Sequence, residues 1–420
     1  MKITCIAVLL ALIPPTPPDP EWSGQWRGPN RDGLSPETGL LKQWPSGGPS
    51  LAWKATGVGI GFSGLSAGGG RIFTMGDVTD ACFLFALNPA DGKVAWKLRV
   101  GAHHLGKDPA KVDEKYPGPR ATPSTDGTLV FALAPGGELV CATAADGKEK
   151  WRKHLRTDFG GRVGGWRYSE SPLLDGDLIV CTPGGSKGAV LALKKETGEP
   201  VWQSKEFTDA AEYASLVPVE IGGVKQYLVL TKPHVAGIAA KDGKLLWQAD
   251  RPAAAKTPAV CPTPVHKDGI VFASSGYGVG SNAFRITATG DQFKAEEIYA
   301  GKEMENHHGG MILVGDHLYG LHDRGHMVCL DFKTGQEAWR GKSVGKGSIA
   351  YADGHFVVRS EEGKGQIALV EATPSGYKEK GRFDQPDRSS HRSWPHPVIA
   401  GGKLYIRDQD VLLCYDIKAK

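Results

Sequence analysis

A group of Arg, His, Glu and aromatic residues in the long inter-repeat segments of this chain holds its chemical potential. The group is Arg120, Trp166, Tyr168, Glu170, His307, His308, Arg388, His391 and Trp394. Guanidinium and imidazole groups give charge-assisted hydrogen bonds, and flat rings give stacking surfaces. Together they suit a small polar or anionic planar ligand, a peptide segment or a sugar. The adjacent pair His307-His308 could ligate a metal, but neighbouring side chains in a loop often diverge, and the reading assigns no metal. Glu170 stands out as a carboxylate able to act as a base, whereas an Asp/Asn/Glu set of the kind calcium needs is not recognisable. Ahead of the inner strands only Glu170, Glu305 and Asn306 are plausible oxygen ligands, and they come from the third and sixth repeats. No catalytic residue is assigned.

Other motif matches carry no chemistry. Gly59-Ile-Gly61-Phe-Ser-Gly64 has the form G-x-G-x-x-G but leads into a strand, so no helix follows to bind a pyrophosphate. Gly184-Gly-Ser186-Lys-Gly188 matches G-x-S-x-G but reads as a hairpin loop rather than a strand-to-helix elbow. No C-x-x-C or vicinal Cys pair exists among the seven cysteines. Cys141, Cys329 and Cys414 recur where Ala stands in other repeats and read as small buried residues. With 50 basic and 46 acidic residues in 420, and no long run of one sign, nothing resembles a nucleic-acid stripe or a polybasic membrane anchor.

The elements that must position these residues come from a repeat. Ala86-Leu-Asn-Pro-Ala-Asp91-Gly92-Lys-Val-Ala-Trp96 recurs as Cys141 to Trp151, Ala192 to Trp202, Gly237 to Trp247 and Cys329 to Trp339. A degenerate fifth copy spans Phe284 to Lys294, where Thr289-Gly290 is kept and Lys294 replaces Trp. A seventh holds Ser375-Gly376. Runs such as Leu129-Val-Phe-Ala and Ile270-Val-Phe-Ala are β-branched or aromatic strands, and the D-G and T-G pairs make tight hairpins between further strands. Units of about 45 residues with four short strands are propeller blades. The last unit ends after Cys414-Tyr-Asp-Ile-Lys. Its missing strand is expected at residues 50–55, where Trp53 occupies the usual local setting. The fold class is therefore all-β: one eight-bladed propeller over residues 19–420, closed by an N-terminal strand.

At these residues the chain resembles the quinoprotein alcohol dehydrogenase-like superfamily, whose blades carry such tryptophan-docking motifs. The opening Trp22-Ser-Gly-Gln-Trp26-Arg-Gly-Pro-Asn-Arg-Asp-Gly33 is similar to the lead-in of bacterial PQQ-binding-like repeat proteins. The resemblance implies a structural role between blades for Trp53, Trp96, Trp151, Trp202, Trp247 and Trp339. Its dehydrogenase branch holds PQQ and calcium, commonly with a vicinal disulfide, which this chain lacks. The chain looks closer to the non-catalytic branch, which includes the scaffold lipoprotein of the outer-membrane β-barrel assembly machinery. That branch implies a binding or scaffold protein without cofactor. A small PQQ-dependent oxidoreductase is the alternative.

Met1–Ile13 carries one Lys and an apolar run of roughly 10 residues, too short for a span that needs about 20. Prolines follow it. Residues 1–18 read as a secretory signal and Pro-rich junction, which implies export to the periplasm or cell envelope, no transmembrane span in the mature chain and a monomer. In such a ring the D-to-A and B-to-C connections share one face, and the long segments 101–122, 154–171, 295–310 and 381–397 fall on it. A ligand or protein partner is expected there.

Overall fold

The computed structural model describes residues 24–103 and 118–419. The expected signal segment lies outside these residues. Eight sheets of antiparallel strands follow one another along the chain. Blade 1 is Ser66–Gly68, Arg71–Val78, Ala81–Leu87 and Val94–Ala102. Blade 2 runs from Ser124 to His154, blade 3 from Leu173 to Gln203 and blade 4 from Val217 to Asp250. Blades 5, 6 and 7 begin at Val265, Met311 and Gly347. Blade 8 takes Val398–Ala400, Lys403–Asp408 and Val411–Asp416 from the end of the chain.

Its outermost strand is Ser50–Ala55, antiparallel to Val411–Asp416 with Trp53 opposite Cys414. This is the expected closure. Ala86 faces Trp96, and Cys141 faces Trp151, in the same register. Each such Trp reaches into the following blade. Trp53 donates through Nε1 to the Pro89 carbonyl at 2.9 Å, Trp96 to Ala144 at 3.1 Å and Trp151 to Lys195 at 2.8 Å. Trp202 donates to Ala240 at 3.2 Å and Trp339 to Thr373 at 2.9 Å. The indole also lies beneath the next hairpin glycine. At Gly147 (φ 74°) an added Cβ would sit 2.6 Å from the Trp96 ring, so the position needs Gly for both its backbone and its space.

Two expectations need correction. The docking residue of the fifth repeat is Tyr299, not a Trp replaced by Lys294. Tyr299 faces Ala283, and its hydroxyl donates to the Phe332 carbonyl at 2.6 Å, beneath Gly335 of blade 6. The hairpin of blade 5, Gly280–Thr289 and Gln292–Gly301, has ten residues in each strand, so its turn extends beyond the docking position. Consequently Gly290 covers nothing, and Trp247 turns its Nε1 to Gln226 Oε1 of its own blade at 2.7 Å. Trp247 still packs in the apolar cluster that joins blades 4 and 5, with Val271 and Phe284. The second correction concerns blade 7. Leu34–Ser35 adds to it as a parallel fifth strand, paired with Tyr351 and Ala352.

That fifth strand ends a segment that fills the axis of the ring. The Gly24 carbonyl accepts from Thr125 N at 2.7 Å in blade 2. Gln25 Oε1 accepts from Leu174 N at 2.9 Å in blade 3. Arg31, 1% exposed, donates to the carbonyls of Ser171 and Leu216 at 3.0 and 3.2 Å, and also to Pro172. Arg27 donates to the Met311 carbonyl at 2.5 Å and Ser35 Oγ to Ile399 at 3.2 Å. A segment touching the inner edges of six blades can only lie in the channel.

The Cys residues in the described segments are free thiols, and all but the half-buried Cys261 are buried. Among the described residues, no helix is long and apolar enough to cross a membrane.

Candidate functional site

Above the plugged channel, on the face of the long connections, lies a cup of about 300 Å³. The backbone approaching each inner strand is extended, so alternate side chains point to the axis and into the blade. Phe62 and Gly64 of blade 1 line the cup, as do Arg120 and Thr122, Ser169 and Ser171, Tyr213 and Ser215, and Arg392, Trp394 and His396. Each set has i, i+2 spacing. The hydroxyls at the lower position knit the ring together. Gly64 N donates to Thr122 Oγ1 at 3.1 Å, Thr122 N to Ser171 Oγ at 2.9 Å and Ser171 N to Ser215 Oγ at 2.9 Å.

This alternation sorts the residues singled out in the sequence. Arg120, Trp166, His307, His308 and Trp394 line the cup. Tyr168 and Glu170, one residue out of phase with Ser169 and Ser171, point the other way. Tyr168 is buried against blades 2 and 3, with its hydroxyl donating to the Pro183 carbonyl at 2.9 Å. Glu170 accepts from Thr182 N and, at 2.8 Å, from Thr182 Oγ1. Burial raises its carboxyl to about 7 despite those bonds and nearby Arg31. Arg388 pairs with Asp408 at 2.5 Å and donates to the Glu361 and His391 carbonyls at 3.1 Å. It ties loops together, and His391 serves it through its backbone.

Within the cup the aromatic groups surround one guanidinium. Phe62 and Trp394 stack with centroids 4.2 Å apart. The Arg120 guanidinium carbon lies 5.6 Å from the Phe62 ring, 5.7 Å from Trp166 and 5.9 Å from Trp394, distances at which cation–π attraction acts.

The adjoining wall, with His308 5.6 Å from the Trp394 ring, is ionic and comes from B-to-C connections as well. His308 Nε2 donates to Glu361 at 2.5 Å, and Arg392 reaches the same carboxylate at 3.0 Å. Burial would raise the Glu361 carboxyl, but His308, Lys346 and Arg392 overcome this and hold it at about 2. His307 Nδ1 accepts from Lys346 Nζ at 2.6 Å. Burial, His308 and Lys346 lower its imidazole to about 3, so it is neutral. Lys346 also pairs with Asp323. At the floor, His396 Nε2 donates to the His308 carbonyl at 2.9 Å.

His307 Nδ1, His308 Nε2 and His396 Nε2 are thus turned to separate partners rather than to a common point, and among the described residues no three His, Cys, Asp or Glu side chains converge on a metal position. The calcium candidates do not gather either. Asn306 spends its side-chain amide on Gly310 and Leu321, Glu305 lies 3.9 Å from His322, and Glu170 is held by Thr182. The cup supplies rings and cations of the sort a quinone carboxylate would use, but its donor set does not fit the calcium such a cofactor would need.

Sequence reasoning missed Trp26, Phe62, Tyr213, Tyr277 and Lys346 of the lining, while Arg392 and His396 fall, as expected, in a long connection of the loop face. A usable signal was present in Ala-Thr122-Pro, Glu-Ser171-Pro and Ala-Ser215-Leu, the hydroxyl recurring just before each inner strand.

Comparisons with known proteins agree with this architecture. A family model described as outer membrane protein assembly factor BamB matches residues 84–341, more than half of the chain. The assembly factor BamB of Yersinia pestis is 25% identical over 194 residues, 44% of this chain and 43% of that protein. The aligned part is therefore less than half of that relative. The BamB structure from Moraxella catarrhalis superposes with a TM-score of 0.56 at 14% identity, covering 82% of this chain and 94% of that one. The quinohemoprotein alcohol dehydrogenase of Comamonas testosteroni gives 0.62 at 10% identity, covering 95% and 81%. At such identities the structures share the fold alone. On the strength of the matched repeats, the chain belongs to the BamB family of PQQ-like repeat propellers.

Proposed function

We propose that this protein is an exported, non-enzymatic binding or scaffold propeller of the periplasm or cell envelope, holding a protein partner or a small polar or anionic ligand in the cup. The observation that carries the reading is Arg120 set among Phe62, Trp166 and Trp394 at the mouth of a closed channel. Such a surface recognises a planar or charged group without transforming it. Support for the non-enzymatic part comes from the titratable groups. Glu361 is bound by His308 and Arg392, His307 accepts from Lys346, and Glu170 lies outside the cup. None is poised as a base against an open position. Support for export and for a protein partner comes from the apolar Met1–Ile13 leader and from the assembly role in the relatives' name. A monomeric state is supported by closure through residues 50–55, which completes the last blade within one chain.

The second reading, a PQQ-dependent oxidoreductase, draws on the dehydrogenase likeness in fold. A photo-reactive residue at Ser169 in the cup, with a control at exposed Asp177 on the opposite turn face, tests the first reading in cells. A discrete adduct from Ser169 alone is expected, weakened by Arg120→Ala. Dye reduction by purified protein with PQQ, calcium and alcohols or aldoses would replace this reading with the second.

A further inference from the structure

The ring of a propeller encloses a channel, yet here residues 24–35 occupy it. Both ends of this segment lie at the tight-turn face: Gly24 beside Thr125, the last residue of blade 2's inner strand, and Ser35 beside Ala352, the last of blade 7's. Between them the backbone reverses sharply, with Gly33 N donating to the Arg27 carbonyl at 2.8 Å and with Arg27 and Arg31 at φ 61° and 59°. The tip of the reversal, with exposed Pro29 and Asn30, lies outside the cup lining, whereas Trp26 at its start forms part of the cup floor, edge-on to His396 at 5.5 Å. A pocket of about 70 Å³ lies beside the segment, against about 300 Å³ in the cup above.

We infer that residues 24–35 are a resident plug, that Trp26 sets the depth of the binding cup, and that the cup takes a compact ring-sized group end-on and rejects a longer one. The inference rests on the proposed binding function and specifies the shape of its ligand. A ligand enters from the loop face and stops at Trp26, so it is a side chain, a chain end or a small molecule. Arg31 anchors the plug from the side: a buried guanidinium needs acceptors, and three carbonyls of blades 3 and 4 supply them. The plug cannot slide without stranding that charge.

Calorimetric titration of the full-length protein with two probes tests this. Indole-3-acetate is short, and p-terphenyl-4-carboxylate presents a longer rod with the same charge. The wild type should bind the short probe at least about tenfold more tightly, a difference of about 1.4 kcal/mol. Trp26→Ala should erase that preference, bringing the ratio of the two affinities to within about threefold of unity. Trp26→Leu gives the same readout with a smaller opening if the alanine variant folds poorly. Trp166→Ala, in the wall, should weaken both probes alike. Equal binding of the two probes by the wild type, or an unchanged preference in folded Trp26 variants, overturns the plug inference and leaves the cup reading standing. Failure of both probes with every variant overturns the cup reading and the inference together.

Discussion

His308 donates from Nε2 to the buried carboxylate of Glu361 at 2.5 Å, joining the approach to blade 6 with the B-to-C connection of blade 7. With Arg392 on the other oxygen, this pair supplies the ionic wall of the cup. The Glu361 carboxyl is depressed to about 2 in the folded protein from an ordinary 4.5. Its contribution is therefore fully present above about pH 4.5 and is lost as pH falls through about 2. Glu361→Gln should cost about 3 kcal/mol at pH 7, as expected for breaking a buried ion pair. The gap from wild type should close in acid. Thermal unfolding from pH 2 to 7 measures it, and a gap independent of pH would refute the assignment.

Glu170 titrates with the opposite sign. Its folded carboxyl is raised to about 7, so the protonated form favours folding. That advantage is complete below about pH 4.5 and disappears as pH rises through about 7. Glu170→Gln, which keeps a polar group against Thr182, should raise the melting temperature at pH 8 and change it little at pH 5. Loss of stability at pH 8 would contradict burial as the main cause.

Arg31 is expected to hold the plug in place. Arg31→Met takes this donor from three carbonyls; Pro172 keeps the Ser124 hydroxyl, so those of Ser171 and Leu216 are left unsatisfied, at about 1–3 kcal/mol each. Denaturant unfolding should show a loss of about 3 kcal/mol. Amides near Gly24 and Gly33 should exchange faster in the variant. Unchanged stability would mean that the plug is held elsewhere.

Tyr299 tests the docking assignment in blade 5. Tyr299→Phe removes the 2.6 Å bond to Phe332 and should cost about 1 kcal/mol. Tyr299→Ala should cost about 3 kcal/mol, comparable to Trp53→Ala at the closing strand. Lys294→Ala, at the position that the repeat spacing designates, should be neutral within about 0.5 kcal/mol.

The repeat, the blade number and the closing strand were legible because they are written locally. A D-G or T-G turn, a small residue and a Trp at fixed spacing describe one hairpin, and eight hairpins in series can only close as a ring. Legibility failed where the hairpin length changed. Five extra residues between the turn glycine and the docking position moved the docking role from Lys294 to Tyr299, which no count from Thr289-Gly290 could show.

The cup was legible in part, for a reason of phase. Residue types before the inner strands marked Arg120, Trp166, His307, His308 and Trp394. Only the extended backbone and its register decided that Ser169 and Ser171 face the axis while Tyr168 and Glu170 face the blade. A one-residue shift in a segment of period two reverses every side chain. The plug lay further from reach. Trp26 and Arg31 stand in a short polar stretch without periodicity, and the carbonyl acceptors of Arg31 are 140 or more residues away in sequence, the His396 ring beside Trp26 370. By itself the sequence determined the ring, because each blade is a local unit. The tertiary structure alone decided that the ring is closed from below, because a buried guanidinium finds its carbonyl acceptors only once the blades surround it.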